Sequence, residues 1–292
     1  MSWHLRQGFY GGNPAATHVP QPAAIWSPLS LGAALLGWYK ADEITGSDTD
    51  PQSGFTDASG NGNDMTQVTS GSRPTLAAAN LNGKNVVRFN APVANQYFDV
   101  PNVFNGKSSG SMYLVVKKNA DPAGSGGANA DQYSGIHRFG SSTGTSSSGH
   151  MTYTDGNIYS EFGTTVRKSA GNPTPSLASW RIISIHSVAS DYGIFIDGGV
   201  YTAGVAAPFF STGTNTVGFD SSPKFGRSVR DPAGTPIFKY MEGWAAEILL
   251  IDGKLSTANQ QKVEGYLAAT ARWALQANLD AAHPYKSSPP PP

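Results

Sequence analysis

The sequence predicts an all-β domain of many short strands joined by tight turns and closed by one short helix. Three observations carry that prediction. The 292 residues include 34 Gly and 20 Pro, with abundant Ser, Thr and Asn, which is turn-forming chemistry at high density. Apolar, β-branched runs of strand length recur along the chain, bounded by Gly, Asn and Asp. The last of them, Met241 to Ile251, runs into Asp252-Gly253 and then Ser256, a turn followed by a helix N-cap residue.

Taken in order, residues 1–34 read as an extended docking arm. Pro14, Pro20, Pro22 and Pro28 break any regular element, yet the arm carries Trp3, Leu5, Phe9 and Tyr10, with Ile25 and Trp26 further on. The body is expected over 35–287. It opens with a strand at Leu35–Asp42, followed by an Asn- and Gly-rich turn at Asp57–Asp64. Asn82-Gly83 predicts a hairpin turn leading into a strand at Val86–Phe89. Ser111–Lys117 is apolar enough for a buried strand. Trp180–Ser187 and Tyr192–Asp197 read as a pair, with Tyr192, Ile194 and Ile196 on one face, Phe195 on the other, and a turn at Gly198-Gly199. Phe225 and the Met241–Ile251 run complete the strands. Leu267 and Trp273 fall on a helical pattern after Ser256. Asp121–Asp131 and Gly140–Gly149 are Gly- and Ser-rich loops inserted in one domain. Residues 288–292 form a proline tail.

Several of these segments resemble a known family. GWYKADEITGSDTD (37–50), FTDASGNGNDMTQ (55–67), RPTL (73–76), NGKNVVRFN (82–90), WRIISIHSVASDYGIFIDGG (180–199), AEILLIDGKLS (246–256), QKVEGYLA (261–268) and HPYK (283–286) are similar to LamG-like jelly-roll domains. Those domains belong to the concanavalin A-like lectin/glucanase superfamily and include forms found in bacteriophage structural proteins. The resemblance covers most of 35–287. It implies a two-sheet antiparallel jelly-roll sandwich with a short C-terminal helix, a fold that hosts lectins, enzymes and structural modules alike.

Composition narrows the function classes. Lys+Arg and Asp+Glu are both 20, so the net charge of +0 leaves no electrostatic footprint for nucleic acid or an anionic membrane. With 0 Cys there is neither a disulfide framework nor a thiolate zinc site. The first residues hold no apolar core of a secretory signal, and the stretch around Leu29–Trp38 is too short to span a bilayer.

No catalytic residues are predicted. Glucanases of the superfamily place closely spaced carboxylates on one strand. Here Glu242 and Glu247 are an odd number of residues apart and would face opposite sides of an unbroken strand, with Glu247 partly exposed. The six histidines are scattered without a metal spacing. Relatives of this fold often bind calcium through loop oxygens, which makes Asp57, Asn61, Asn63 and Asp64 the candidate metal set, although these are also ordinary turn residues. Tyr133, Tyr153, Tyr159, Phe209 and Phe210 lie in the loop-rich half and are the candidate glycan-binding aromatics. Trp38, Trp180 and Trp244 belong to strands and are assigned to the core.

The functional expectation is a non-enzymatic virion structural protein of a bacteriophage, a capsid decoration or auxiliary protein with an outward-facing lectin-like domain. It rests on the missing export signal, the single module and the aromatic arm. The expected partners are a capsid or tail protein, bound through Trp3, Leu5, Phe9 and Tyr10, and a host surface glycan, with the chain a homo-oligomer in its assembly. A tail-fibre or cell-surface carbohydrate-binding lectin is the second expectation, and a glycoside hydrolase the third.

Overall fold

The computed structural model describes residues 25–91, 94–121, 133–141, 149–200, 215–230 and 237–292. The strands, in chain order, are β1 (Leu35–Lys40), β2 (Gly54–Phe55), β3 (Met65–Thr66), β4 (Thr75–Leu81), β5 (Lys84–Asn90), β6 (Phe98–Asp99), β7 (Ser109–Lys118), β8 (His137–Gly140), β9 (Ile158–Ser160), β10 (Lys168–Gly171), β11 (Arg181–Val188), β12 (Asp191–Ile196), β13 (Gly199–Val200), β14 (Phe219–Phe225), β15 (Arg227–Arg230), β16 (Ile237–Tyr240) and β17 (Glu242–Asp252). One helix, α1 (Thr257–Ala268), follows β17. The 8-stranded sheet runs β13-β12-β11-β7-β17-β5-β4, with β1 also on β17, and the 5-stranded sheet runs β2-β3-β6-β14-β8. Strand pairing within both is antiparallel. This is the predicted two-sheet sandwich with a C-terminal helix.

The large sheet is buried on both faces, and its sequence shows why. Leu114 and Val116 of β7, Ile183 and Ile185 of β11, and Ile248 and Leu250 of β17 point inward. There they meet Phe55, Phe98, Phe139 and Phe225 of the small sheet. The alternate residues Tyr113, Val115, Ile182, Leu249 and Ile251 form a second core on the outer face with Val263, Tyr266, Leu267 and Trp273. Strands covered on both sides need no polar positions, so Ile248–Ile251 reads as an unbroken apolar run.

The turns follow their chemistry. Asn82 and Gly83 sit at φ 50° and 69° between β4 and β5, the left-handed pair that a two-residue hairpin requires. The β12–β13 turn falls on Asp197 and Gly198, at φ 53° and 73°, one residue earlier than expected. The Ser256 hydroxyl accepts from Asn259 N at 3.3 Å and caps α1. The helix ends at Ala268, so Trp273 lies beyond it in a turn and reaches the outer core from there. Gly265 is required by close approach, since a Cβ there would stand 2.6 Å from the Tyr285 side chain.

The domain begins before Leu35. Ile25 and Trp26 pack into the outer core, and Pro28–Ala34 forms a 3-10 helix capped by the Ser27 hydroxyl. The proline tail is not free either: Trp26 N donates to the Pro290 carbonyl at 3.0 Å, and Pro290 is buried. This backbone bond joins the start of the described body to the proline tail. Among the described residues, no helix is long and apolar enough to cross a membrane.

Candidate saccharide-binding site

Two of the predicted glycan aromatics come together. The hairpin β9–β10 carries Tyr159, and the preceding turn carries Tyr153. Their rings stand 5.9 Å apart at 80°, an edge-to-face pair, and both are half-buried. Backbone bonds lock the segment: His150 N and Tyr159 N each donate to the other's carbonyl, at 2.6 and 2.8 Å, and Tyr153 N donates to the Asn157 carbonyl at 2.9 Å. His150 lies beneath, 4.8 Å from the Tyr153 ring, and bridges to Gly135 just before β8.

Polar groups frame the rings. The Tyr159 hydroxyl donates to Asp155 Oδ2 at 2.7 Å, Asn157 N donates to Asp155 Oδ1 at 2.9 Å, and the Arg167 guanidinium sits 4.2 Å from the Tyr159 ring centre. Slight burial works against ionising Asp155, but the bonds from Tyr159 and Asn157 more than offset it and hold its carboxyl below the usual range. Donation to that carboxylate, and then burial, push the Tyr159 phenol up. The cluster therefore holds two partly buried tyrosine rings beside donors and acceptors, with Arg167 over the Tyr159 ring and His150 against the Tyr153 ring.

A buried polar layer supports it. Ser134 Oγ and His150 Nδ1 share a hydrogen bond. Thr152 Oγ1 donates to Asp121 Oδ1 at 2.5 Å, and Leu177 N donates to Asp121 Oδ2 at 3.0 Å. Lys118 Nζ donates to the Tyr133 carbonyl at 2.7 Å, and burial pushes this lysine down to about 7 against the pull of Glu242 and Asp121. Tyr133 itself enters this layer through its backbone, and its ring meets neither Tyr153 nor Tyr159. Phe209 and Phe210, like Trp3, Leu5, Phe9 and Tyr10, lie outside the described residues, as do most of the two predicted insertions.

The candidate metal residues also converge, in one turn that bonds to itself and to β1. Asp57 accepts from Trp38 N (2.9 Å), Ser59 N (2.9 Å), Ser59 Oγ (2.8 Å) and Asn63 N (3.0 Å), which occupies the lone-pair directions of a carboxylate. Asp64 Oδ1 accepts from Asp57 N at 2.7 Å, while the Asn61 and Asn63 amides donate to the Leu35 and Leu36 carbonyls at 2.7 and 2.8 Å. Among the described residues, no three His, Cys, Asp or Glu side chains group as a metal site.

Glu247 corrects the sequence reading. It is wholly buried on the outer face of the large sheet. There Oε1 accepts from Trp38 Nε1 (2.5 Å), and Oε2 accepts from Arg272 (2.6 Å) and Trp273 Nε1 (2.6 Å). Arg272 in turn holds Asp42 at 2.8 and 3.1 Å. A β-bulge between Ala245 and Glu247 breaks the strand's alternation, so counting residues from Glu242 does not fix which way Glu247 faces. The signal that could have found this role was the pair of tryptophans and the arginine near it in the fold, all distant in sequence. Trp38 is buried in the outer core as assigned, whereas Trp180, just before β11, and Trp244 are only partly buried and pack against that core.

No protein-family profile matches the chain, and no curated protein matches it. Solved structures with a related arrangement include domain 4 of an extracellular GH43 arabinanase from Geobacillus stearothermophilus in complex with arabinotriose (15% identity, 77% of this chain and 95% of that one, TM-score 0.48). Others are a Trypanosoma rangeli sialidase in complex with sialic acid (13%, 83% and 33%, TM-score 0.45) and the receptor binding domain of a botulinum neurotoxin C/D mosaic serotype (13%, 79% and 51%, TM-score 0.47). The chain spans about a third of the sialidase and half of the toxin domain. At TM-scores this low the likeness carries neither ligand nor activity across, and the fold rests on the chain's own two sheets.

Proposed function

We propose that this protein is a non-enzymatic LamG-like module that binds a saccharide at Tyr153 and Tyr159. The observation that carries this reading is the edge-to-face tyrosine pair, half-exposed and framed by Asp155, Asn157 and Arg167 on a backbone-locked hairpin. The C–H faces of a sugar ring suit an aromatic surface, and its hydroxyls need both donors and acceptors at fixed positions. The saturated, buried state of Glu247 supports a binding role over hydrolysis. The test is a glycan array with the full chain, followed by titration of each hit against Tyr153→Ala and Tyr159→Ala. Hits weakened by both variants support the reading, and an array without hits overturns it.

A second reading places this module on a bacteriophage virion, as a capsid decoration or tail protein. It is favoured by the placement of Ile25 and Trp26 in the outer core of the large sheet, while Ile158 of the tyrosine hairpin packs into the core between the sheets. On this reading Trp3, Leu5, Phe9 and Tyr10 dock a homo-oligomer onto a shell. Mass spectrometry of purified particles tests it. Many copies per particle support decoration, a few support the tail, and absence ends the virion reading.

A further inference from the structure

At the opposite edge of the small sheet from the tyrosine hairpin lies a cleft of about 270 Å³, where the end of β1 meets β2. Lys40, Glu43, Thr45, Gln52 and Thr56 supply its polar lining, with Ile44 as its apolar side. We propose that this cleft is a second, independent saccharide site, holding one uncharged pyranose-sized unit edge-on through hydrogen bonds.

Size sets the first limit. Pockets for drug-sized ligands run to roughly 300–1,000 Å³, so this one suits a single ring and not an extended chain. Charge sets the second. Lys40 Nζ and Glu43 Oε1 are in direct contact, so the pair is neutral as a unit and offers no net attraction to a phosphate or an amine. It does offer strong donors and strong acceptors within one ring's reach, and the Gln52 amide and the Thr45 and Thr56 hydroxyls add both kinds. A neutral ring with adjacent hydroxyls satisfies such a set, whereas an apolar ligand would strand it. Among the described residues no aromatic side chain lines the cleft, so the sugar would bind by its edge and not by stacking, unlike at the tyrosine pair.

The cleft is also preformed. Ile44 N donates to the Ala41 carbonyl at 3.1 Å, and Asn85 Nδ2 holds the Ile44 carbonyl at 2.9 Å. Gln52 N donates to the Pro74 carbonyl at 2.7 Å, and its side-chain amide is oriented by the Asp50 carbonyl at 2.7 Å. The Lys40 ammonium lies 4.2 Å from the centre of the Trp38 ring, whose own N–H is held by Glu247. Little ordering is left for a ligand to impose.

The experiment is an amide NMR titration of the full chain with methyl β-D-glucopyranoside, methyl β-D-galactopyranoside and N-acetylglucosamine, each taken into the tens of millimolar. At least one should give saturable shifts confined to residues 40–56. Glu43→Ala, at a side chain that is 58% exposed and so dispensable for folding, should weaken that binding about fivefold or more. Thr56→Ala should weaken it less, and Tyr159→Ala should leave it unchanged. The proposal is overturned if none of the three sugars moves these amides, if Glu43→Ala titrates like the parent, or if sodium phosphate moves them where the sugars do not. Because Tyr159→Ala is the control, failure here leaves the tyrosine reading standing, and the reverse.

Discussion

Two regions of this sandwich use the same residue types to opposite ends. On the outer face of the large sheet, Glu247, Arg272, Asp42, Trp38 and Trp273 form a buried network in which each carboxylate oxygen accepts from an N–H donor. At the β8 edge of the small sheet, Asp155, Arg167, Tyr153 and Tyr159 form an equally specific cluster, but its two tyrosines remain partly exposed. Saturation and burial make the first a fastener for the C-terminal segment. Residual exposure makes the second a surface that can recognise something. The difference lies in solvent access, which no local sequence pattern encodes.

The comparison breaks most easily at Glu247. Glu247→Ala leaves two indole N–H groups without their acceptor in a buried place and takes from Arg272 one of its two carboxylate partners. We expect it to destabilise the fold by about 3–5 kcal/mol in denaturant unfolding. A change below about 1 kcal/mol would mean that the network fastens nothing.

His137 sharpens the contrast from inside. It lies in the inter-sheet core against Phe139 and Phe162, and among the described residues neither ring nitrogen has a hydrogen-bond partner. Burial pushes it down to about 3, from an ordinary 6.5. The unfolded chain therefore takes up this proton first as pH falls, and His137 removes stability progressively between those two values. His137→Phe should flatten that acid slope while leaving stability at neutral pH unchanged or higher, measured by unfolding across the same pH range. An undiminished slope would assign the acid sensitivity elsewhere. Asp42 adds to the acid loss. Burial works to raise it, but Arg272 and Lys84 hold it below the usual carboxylate range, so the unfolded chain takes up its proton first and its contribution is lost from the ordinary carboxylate range down through that lowered value.

Tyr159→Ala should do the reverse of Glu247→Ala. Saccharide affinity should fall about tenfold, or ~1.4 kcal/mol, with the unfolding midpoint almost unmoved. The smallest effect is expected at the Asp57 turn. With its carboxylate filled by four protein donors, adding calcium or a chelator should not shift thermal unfolding, and a calcium-dependent rise would restore the metal reading.

Much of the fold was legible because its signals are local. Asn82-Gly83 marks its hairpin, Ser256 caps its helix, and alternation in Tyr192–Ile196 sorts one face from the other. What escaped was long-range or irregular. The bulge at Ala245–Glu247 defeats counting along the strand, and the pairing of Trp26 with Pro290 joins opposite ends of the chain. Of the site, the sequence marked Tyr153 and Tyr159 as loop aromatics. It could not show that they meet each other, that Tyr133 stands apart, or that Arg167 and Asp155 frame them.

The most direct test of the central contrast is a side-by-side glycan-array measurement on the parent chain, Tyr159→Ala and Glu247→Gln, all verified as folded. Binding lost in Tyr159→Ala and kept in Glu247→Gln is the predicted result. Equal binding by all three, or loss only in Glu247→Gln, would contradict the division between a fastening region and a recognising one.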